Sequence, residues 1–203
     1  MNPNYDGQLP VMESFYTIQG EGHFQGTAAH FIRLGGCDVG CHWCDVKESW
    51  KIHPQWFTPI GAIVKQVDQR AKIVVITGGE PLMHSLDSLT QALKQRGFRT
   101  HLETSGAYPL SGDWDWICLS PKKFKAPLAE IYARANELKC IVYNKSDFEF
   151  AQNEAQKVTE QCLLLLQPEW EVRDKRMPQM TDFALAHPQW KITLQTHKYL
   201  GVR

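Results

Sequence analysis

Three of the six cysteines in this 203-residue chain fall within eight residues, spaced Cys37-x3-Cys41-x2-Cys44 in the stretch LGGCDVGCHWCDVKESW. Thiolates prefer soft metals, so zinc and an iron–sulfur cluster are the two chemistries to weigh. A closed zinc site takes four ligands. His42 inside the loop, and His23, His30 and His53 near it, keep a Cys3His zinc site open, although none repeats a ligand spacing. Three ligands from one short loop also suit a four-iron cluster whose fourth iron is left to an outside ligand. The remaining cysteines, Cys118, Cys140 and Cys162, stand singly in apolar runs and read as small buried hydrophobes.

Other residues could act beside the cysteines. TGGEP (77–81) carries two glycines that let backbone groups approach a ligand, and Glu80 could accept from an ammonium group. It lacks the GxGxxG spacing of a dinucleotide site. IQGEG (18–22) is a polar loop between glycines. Arg33 is a charge at the end of an apolar strand, either paired structurally or placed to fork onto a substrate carboxylate. SPK (120–122) could set Lys122 beside an anionic ligand.

These residues need elements to position them. Continuous apolar runs at 29–34, 72–78, 99–104, 116–120, 138–143, 162–167 and 191–196 predict parallel strands covered on both faces. Helical patterns lie at 58–70, with Thr58 at the N-cap and Pro59 at N1, and at 85–97, 147–158 and 178–188. Alternation of the two predicts an α/β fold built on about six mostly parallel strands with few helices, open or curled into a partial (β/α) barrel. Ligands collect at the carboxyl ends of such strands. The cysteine loop, TGGEP, ETSG (103–106), SPK and QPEW (167–170) all follow predicted strands, so they would face one cavity.

Lys plus Arg equals Asp plus Glu, 22 each, and no repeat or linker breaks the chain. A balanced charge argues against recruitment to nucleic acid or an anionic membrane. One domain over 1–203 is expected. The N-terminus lacks the charged and apolar regions of a secretory signal, and no apolar run could span a bilayer. A cytoplasmic protein with reduced thiols is the expectation.

Together the CxxxCxxC loop after the first strand and the GGEP turn after the second resemble the radical S-adenosylmethionine superfamily, a partial-barrel fold. TIQGEG, FIRLGGC, CHWCD, TGGEP, ETSG, SPK and LQTHKYLGV are, in that order, similar to the 7-carboxy-7-deazaguanine synthase family within it, from about Glu13 to the last residue. The resemblance implies ring contraction of 6-carboxy-5,6,7,8-tetrahydropterin with loss of ammonia, in queuosine and 7-deazapurine synthesis. It implies that Cys37, Cys41 and Cys44 hold a [4Fe–4S] cluster whose open iron takes S-adenosylmethionine. It assigns Trp43, Cys44, Asp45, Gly78, Gly79, Glu80, Gly106, Ser120, Pro121, Lys122, Gln167, Pro168, Glu169 and Trp170 to that cofactor. It assigns Ile18, Gln19, Gly20, Glu21, Arg33, Thr104, His197 and Arg203, the last through its terminal carboxylate, to the pterin, with the C-terminal tail closing over the site. A flavodoxin or ferredoxin as electron donor and a homodimer are also implied. The resemblance also implies that Mg2+ assists, but where the family often has a threonine that binds it this chain has Val46, and an isopropyl group cannot ligate a hard cation; either Asp45, the substrate and waters hold the ion, or the dependence on it is weak. A glycyl-radical enzyme activase and a noncatalytic zinc- or cluster-binding module are the alternatives.

Overall fold

The protein was analysed as a computed structural model that describes residues 7–203, so the first six residues of the stretch read for a targeting signal lie outside the description. Nine strands form one sheet in the order β3-β1-β2-β4-β5-β6-β7-β8-β9. They are β1 (Gln8–Ile18), β2 (Ala28–Leu34), β3 (Phe57–Pro59), β4 (Ile73–Gly78), β5 (Arg99–Thr104), β6 (Trp116–Leu119), β7 (Glu137–Val142), β8 (Leu163–Pro168) and β9 (Trp190–Ile192). From β2 to β9 every neighbouring pair is parallel, while β1 runs antiparallel to both β2 and β3. No pairing joins β3 to β9 among the described residues, so the sheet curls without closing.

The predicted strands are all present, although the last is cut back to three residues. The strand β1 was not anticipated. Its sequence, QLPVMESFYTI, mixes polar and apolar residues along a half-buried edge and so lacks the apolar run that marks the central strands. The helices are α1 (Ile60–Gln66), α2 (Asp87–Gln95), α3 (Ala129–Arg134), α4 (Ser146–Ala155), α5 (Arg173–Ala186) and α6 (Thr196–Leu200). Thr58 does not cap α1. Its hydroxyl donates to Trp56 O at 3.1 Å, Pro59 takes the cap position, and the preceding residues pair with β1 instead.

Side chains alternate across each strand, so the two faces differ. The helix-covered face carries Ile32, Leu34, Val74, Ile76, Leu102, Leu119, Leu138 and Leu166, packed with Leu89, Leu93, Ile131 and Met180. Truncating one of these, such as Leu119, to alanine would cost about 2–5 kcal/mol. The opposite face is apolar at one end, where Ala29, Ile73 and Val75 meet Phe24 and Phe31. Across β5 to β7 that register instead carries His101, Glu103, Glu137 and Lys139, all buried or half-buried. The polar half of this face leads into the site.

Candidate active site

The cysteine loop leaves β2 and is fastened from below by the turn after β4. Gly79 N donates to Leu34 O at 2.9 Å and Glu80 N to Gly36 O at 2.7 Å. Neither contact tolerates a side chain: a Cβ on Gly78 would lie 2.1 Å from Leu34 O, and one on Gly79 would lie 2.2 Å from Gly36 O. On the other side, Gly36 N donates to Ser49 O and Cys37 N to Trp50 O. Held in this way, Cys37, Cys41 and Cys44 all line one cavity at the carboxyl ends of the strands.

All three thiols are free. Burial pushes Cys37 up, and pushes Cys41 to about 11, with the neighbouring cysteines adding to the rise and Lys122 opposing it. Such a trio waits for a cation that would hold its thiolates. A single zinc would need sulfurs about 3.8 Å apart, from tetrahedral geometry with Zn–S near 2.3 Å. Among the described residues the group of three potential ligands whose atoms all lie within 4.8 Å is Glu103, Cys118 and Glu137, not the loop cysteines. None of His23, His30, His42 and His53 lines the cavity. His30 bonds Ser14 Oγ, and His42 is exposed, edge-on to Phe124 and Tyr143. The loop cysteines and these histidines thus form no gathered four-ligand zinc set among the described residues.

Of the residues expected to hold S-adenosylmethionine, Trp43, Asp45, Gly78, Gly79, Glu80, Ser120, Lys122, Gln167, Pro168, Glu169 and Trp170 line the same cavity. Gly106 and Pro121 do not. Gly106 turns at φ +76° with its Cα against Leu119, Pro127 and Ile131, and its N–H and C=O are bonded to Thr104 Oγ1 and Leu128 N. Glu80 is lined up differently from expectation. Its carboxylate accepts from Leu82 N, Thr104 Oγ1, Ser105 N and Ser105 Oγ, which fills the four or so sites a carboxylate offers. It ties the end of β4 to the end of β5 and leaves no lone pair for an ammonium group. Gln167 Oε1 is a buried acceptor with no hydrogen-bond partner among the described residues. Lys122 Nζ donates to both Ser120 O and Ser120 Oγ, and burial lowers its pKa.

Ile18, Gln19, Gly20, Glu21, Arg33, Thr104, His197 and Arg203, expected around the pterin, also line the cavity. Arg33 uses Nε on Glu13 at 3.2 Å, and its two terminal nitrogens have no partner among the described residues. That leaves the fork that suits a carboxylate. Thr104 is less available, since its hydroxyl donates to Glu80 and accepts from Gly106 N. The tail reaches the site through α6. Thr196 N donates to Gly20 O at 2.9 Å, and His197 packs where a Cβ on Gly20 would lie 2.1 Å from its Nδ1. Burial pushes the His197 pKa down. Arg203 ends beside Glu13 at 3.0 Å and Thr17 at 3.0 Å.

The expected TGGEP and ETSG turns bring Thr77, Glu103 and Ser105 to the lining, while Phe15, Phe31, Lys139 and Gln195 were not anticipated. Lys139 and Glu103 did leave a signal, as charges inside otherwise apolar strand runs. Val46 lines the cavity as well, beside Asp45, whose Oδ2 already accepts from Gln195 and Lys198. The Val46 side chain offers no oxygen, but Asp45 Oδ1 has no partner among the described residues, so Asp45 with substrate and water would hold a Mg2+ ion at this corner.

Comparison with known proteins agrees with this geometry. A profile of the Radical SAM superfamily matches residues 31–119. The chain is 55% identical to the 7-carboxy-7-deazaguanine synthase of Flavobacterium psychrophilum, over 96% of this chain and 92% of that protein. It is 51% identical to the enzyme of that name from Synechocystis sp., over 96% and 93% of the two chains. The crystal structure of QueE from Escherichia coli superposes with a TM-score of 0.82 at 29% identity, covering 96% of this chain and 99% of that one. A cysteine loop, a glycine turn and a closing tail arranged about one cavity, in a chain this similar to those relatives, place it in the 7-carboxy-7-deazaguanine synthase family of radical S-adenosylmethionine enzymes.

Proposed function

We propose that this chain converts 6-carboxy-5,6,7,8-tetrahydropterin to 7-carboxy-7-deazaguanine, releasing ammonia, in 7-deazapurine biosynthesis. The observation that carries the reading is the shared cavity, lined by three cysteines together with the open fork of Arg33. When bound, the [4Fe–4S] cluster and S-adenosylmethionine supply a hydrogen-abstracting carbon radical.

The chain's own part is binding, orientation and exclusion of water. Cys37, Cys41 and Cys44 hold the cluster. The backbone around Gly78, Gly79 and Trp43, with Gln167 Oε1 and Ser120, cradles the methionine and adenosine portions. Arg33 takes the pterin carboxylate in a bidentate fork, while Gln19, Glu21 and His197 meet the ring. Phe15 and Phe31, stacked at 5.5 Å, wall the cavity with apolar surface. The described residues act as one domain, with α6 and the residues after it covering the mouth through the bonds to Gly20, Asp45 and Glu13.

Val46 supplies no oxygen at the position where the resemblance implies a threonine, so Mg2+ would be held by Asp45, the substrate and water. A flavodoxin or ferredoxin as donor, a homodimer and a cytoplasmic setting complete the proposal. No helix among the described residues is long and apolar enough to cross a membrane. An activase for a glycyl-radical partner gains nothing from the Arg33 fork, and a zinc module would lack a gathered four-ligand set among the described residues.

Anaerobic reconstitution followed by incubation with the tetrahydropterin, S-adenosylmethionine and dithionite tests the reading. Formation of 7-carboxy-7-deazaguanine supports it. A colourless zinc-loaded protein would favour the binding module instead.

A further inference from the structure

Lys139 lies on β7, and its side chain is only 5% exposed. Its Nζ donates to Glu21 Oε2 at 2.6 Å and to Glu103 Oε2 at 2.8 Å. The outer oxygens of the two carboxylates are steadied by amides: Gln195 Nε2 donates to Glu21 Oε1 at 2.9 Å, and Gln19 Nε2 to Glu103 Oε1 at 3.4 Å. Both carboxylates line the floor of the cavity that Lys139 also lines, and Arg33 lines the same cavity. Those bonds occupy about half of the acceptor sites that two carboxylates offer. The remainder form a surface that accepts hydrogen bonds and offers none.

We propose that Lys139 is a positioning residue that holds Glu21 and Glu103 as a fixed, ionised pair of acceptors, which reads a ligand edge carrying adjacent N–H donors. The amidine edge of a 2-amino-4-oxopyrimidine ring has that chemistry, so the inference rests on the pterin reading and names which edge meets the floor. Without the ammonium group, two neighbouring carboxylates repel, and one takes up a proton. A protonated carboxyl presents an O–H to the ligand's N–H, and recognition fails.

The surrounding groups sharpen this. Glu137 and Cys118 lie beneath, with ligand atoms within 4.8 Å of those of Glu103, and His23 N donates to Glu137 at 2.8 Å. Burial and the Glu103 charge push the Glu137 carboxyl up, with Lys139 and the His23 N–H opposing the rise. Lys139 holds Glu21 down at about 2 against the effect of burial. His197 also faces Glu21 and is biased to neutrality by burial, Asp45 shares Gln195 with Glu21, and Lys122 adds a further cation nearby.

Fluorescence titration with 6-carboxypterin, a stable oxidised analogue, tests the inference on reconstituted protein loaded with S-adenosylmethionine. Wild-type affinity should stay flat from about pH 7.5 to 6, since the Lys139 ammonium group bonds both carboxylates throughout. Lys139→Met should bind about tenfold or more weakly and lose further affinity as the pH falls, with Lys139→Arg restoring the flat profile. Lys139→Met binding at wild-type strength with a flat profile overturns the inference. So does a wild-type affinity that already declines over that pH span, a result that needs no variant to fold. Wild-type protein that binds no pterin and forms no deazapurine refutes the functional reading itself, a distinct outcome.

Discussion

Gly79 packs so closely on Gly36 that a Cβ on Gly79 would lie 2.2 Å from Gly36 O and 2.9 Å from Cys37 Cβ. The turn after β4 is thus the anvil against which the cysteine loop is shaped. A Gly79→Ala protein must shift one backbone against the other. We expect it to retain less than about half of the wild-type iron after reconstitution, as the loop's thiols lose their spacing. Gly61, in α1, has open space where a Cβ would go. Gly61→Ala should keep full iron and gain about 0.5–1 kcal/mol of stability. Iron assay and thermal melts of the two variants separate a local steric effect from a general intolerance of alanine.

Arg33 keeps its terminal nitrogens unpaired while Glu13 steadies Nε. Replacement by lysine preserves the charge and removes the fork. Arg33→Lys should raise KM for the carboxypterin about tenfold or more with a smaller effect on kcat, the pattern of a lost binding contact. Steady-state kinetics across pterin concentration reads this directly. A drop confined to kcat would place Arg33 in the chemistry instead.

Val46 occupies the cavity corner beside Asp45. The parent protein should be active and weakly stimulated by Mg2+. Val46→Thr, which restores a hydroxyl, should be stimulated more. Rates with and without added Mg2+ after chelation measure the ratio. Equal stimulation of parent and variant would contradict the assignment.

The acid limb of stability should be set early by His101. Burial, with help from Arg99, lowers its pKa from 6.5 to about 4, and its Nε2 has no partner among the described residues. The unfolded chain therefore binds more protons than the folded one between those values. Stability is full above about pH 6.5 and falls as the pH drops toward 4, by about 3 kcal/mol from this group. Glu21 acts lower, its contribution present above the unfolded value of 4.5 and lost as the pH falls toward 2. Urea melts from pH 6.5 to 4.5 should show a shallower decline for His101→Phe than for the parent.

The cysteine loop, the glycine turn and Arg33 were legible because each breaks the composition of the strand it follows. The central parallel strands were legible for the opposite reason, since burial on both faces leaves an apolar run. The strand β1 escaped because only half of it is covered. Lys139 and Glu103 were visible as charges but had no partners in sequence: the residues they meet are 118 and 36 positions from Lys139 and converge only when the sheet curls. Glu80 misled for a related reason. Its carboxylate is filled by Thr104 and Ser105 from the adjacent strand end, contacts that no local pattern announces.

A cluster held by the three thiols, in the cavity that Arg33 also lines, serves a radical ring contraction. Mass spectrometry of an anaerobic reaction of the reconstituted protein with 6-carboxy-5,6,7,8-tetrahydropterin, S-adenosylmethionine and dithionite tests it most directly. 7-Carboxy-7-deazaguanine should form only with the intact cluster and be lost in Cys41→Ala. A fully loaded four-iron protein that yields no deazapurine would contradict it.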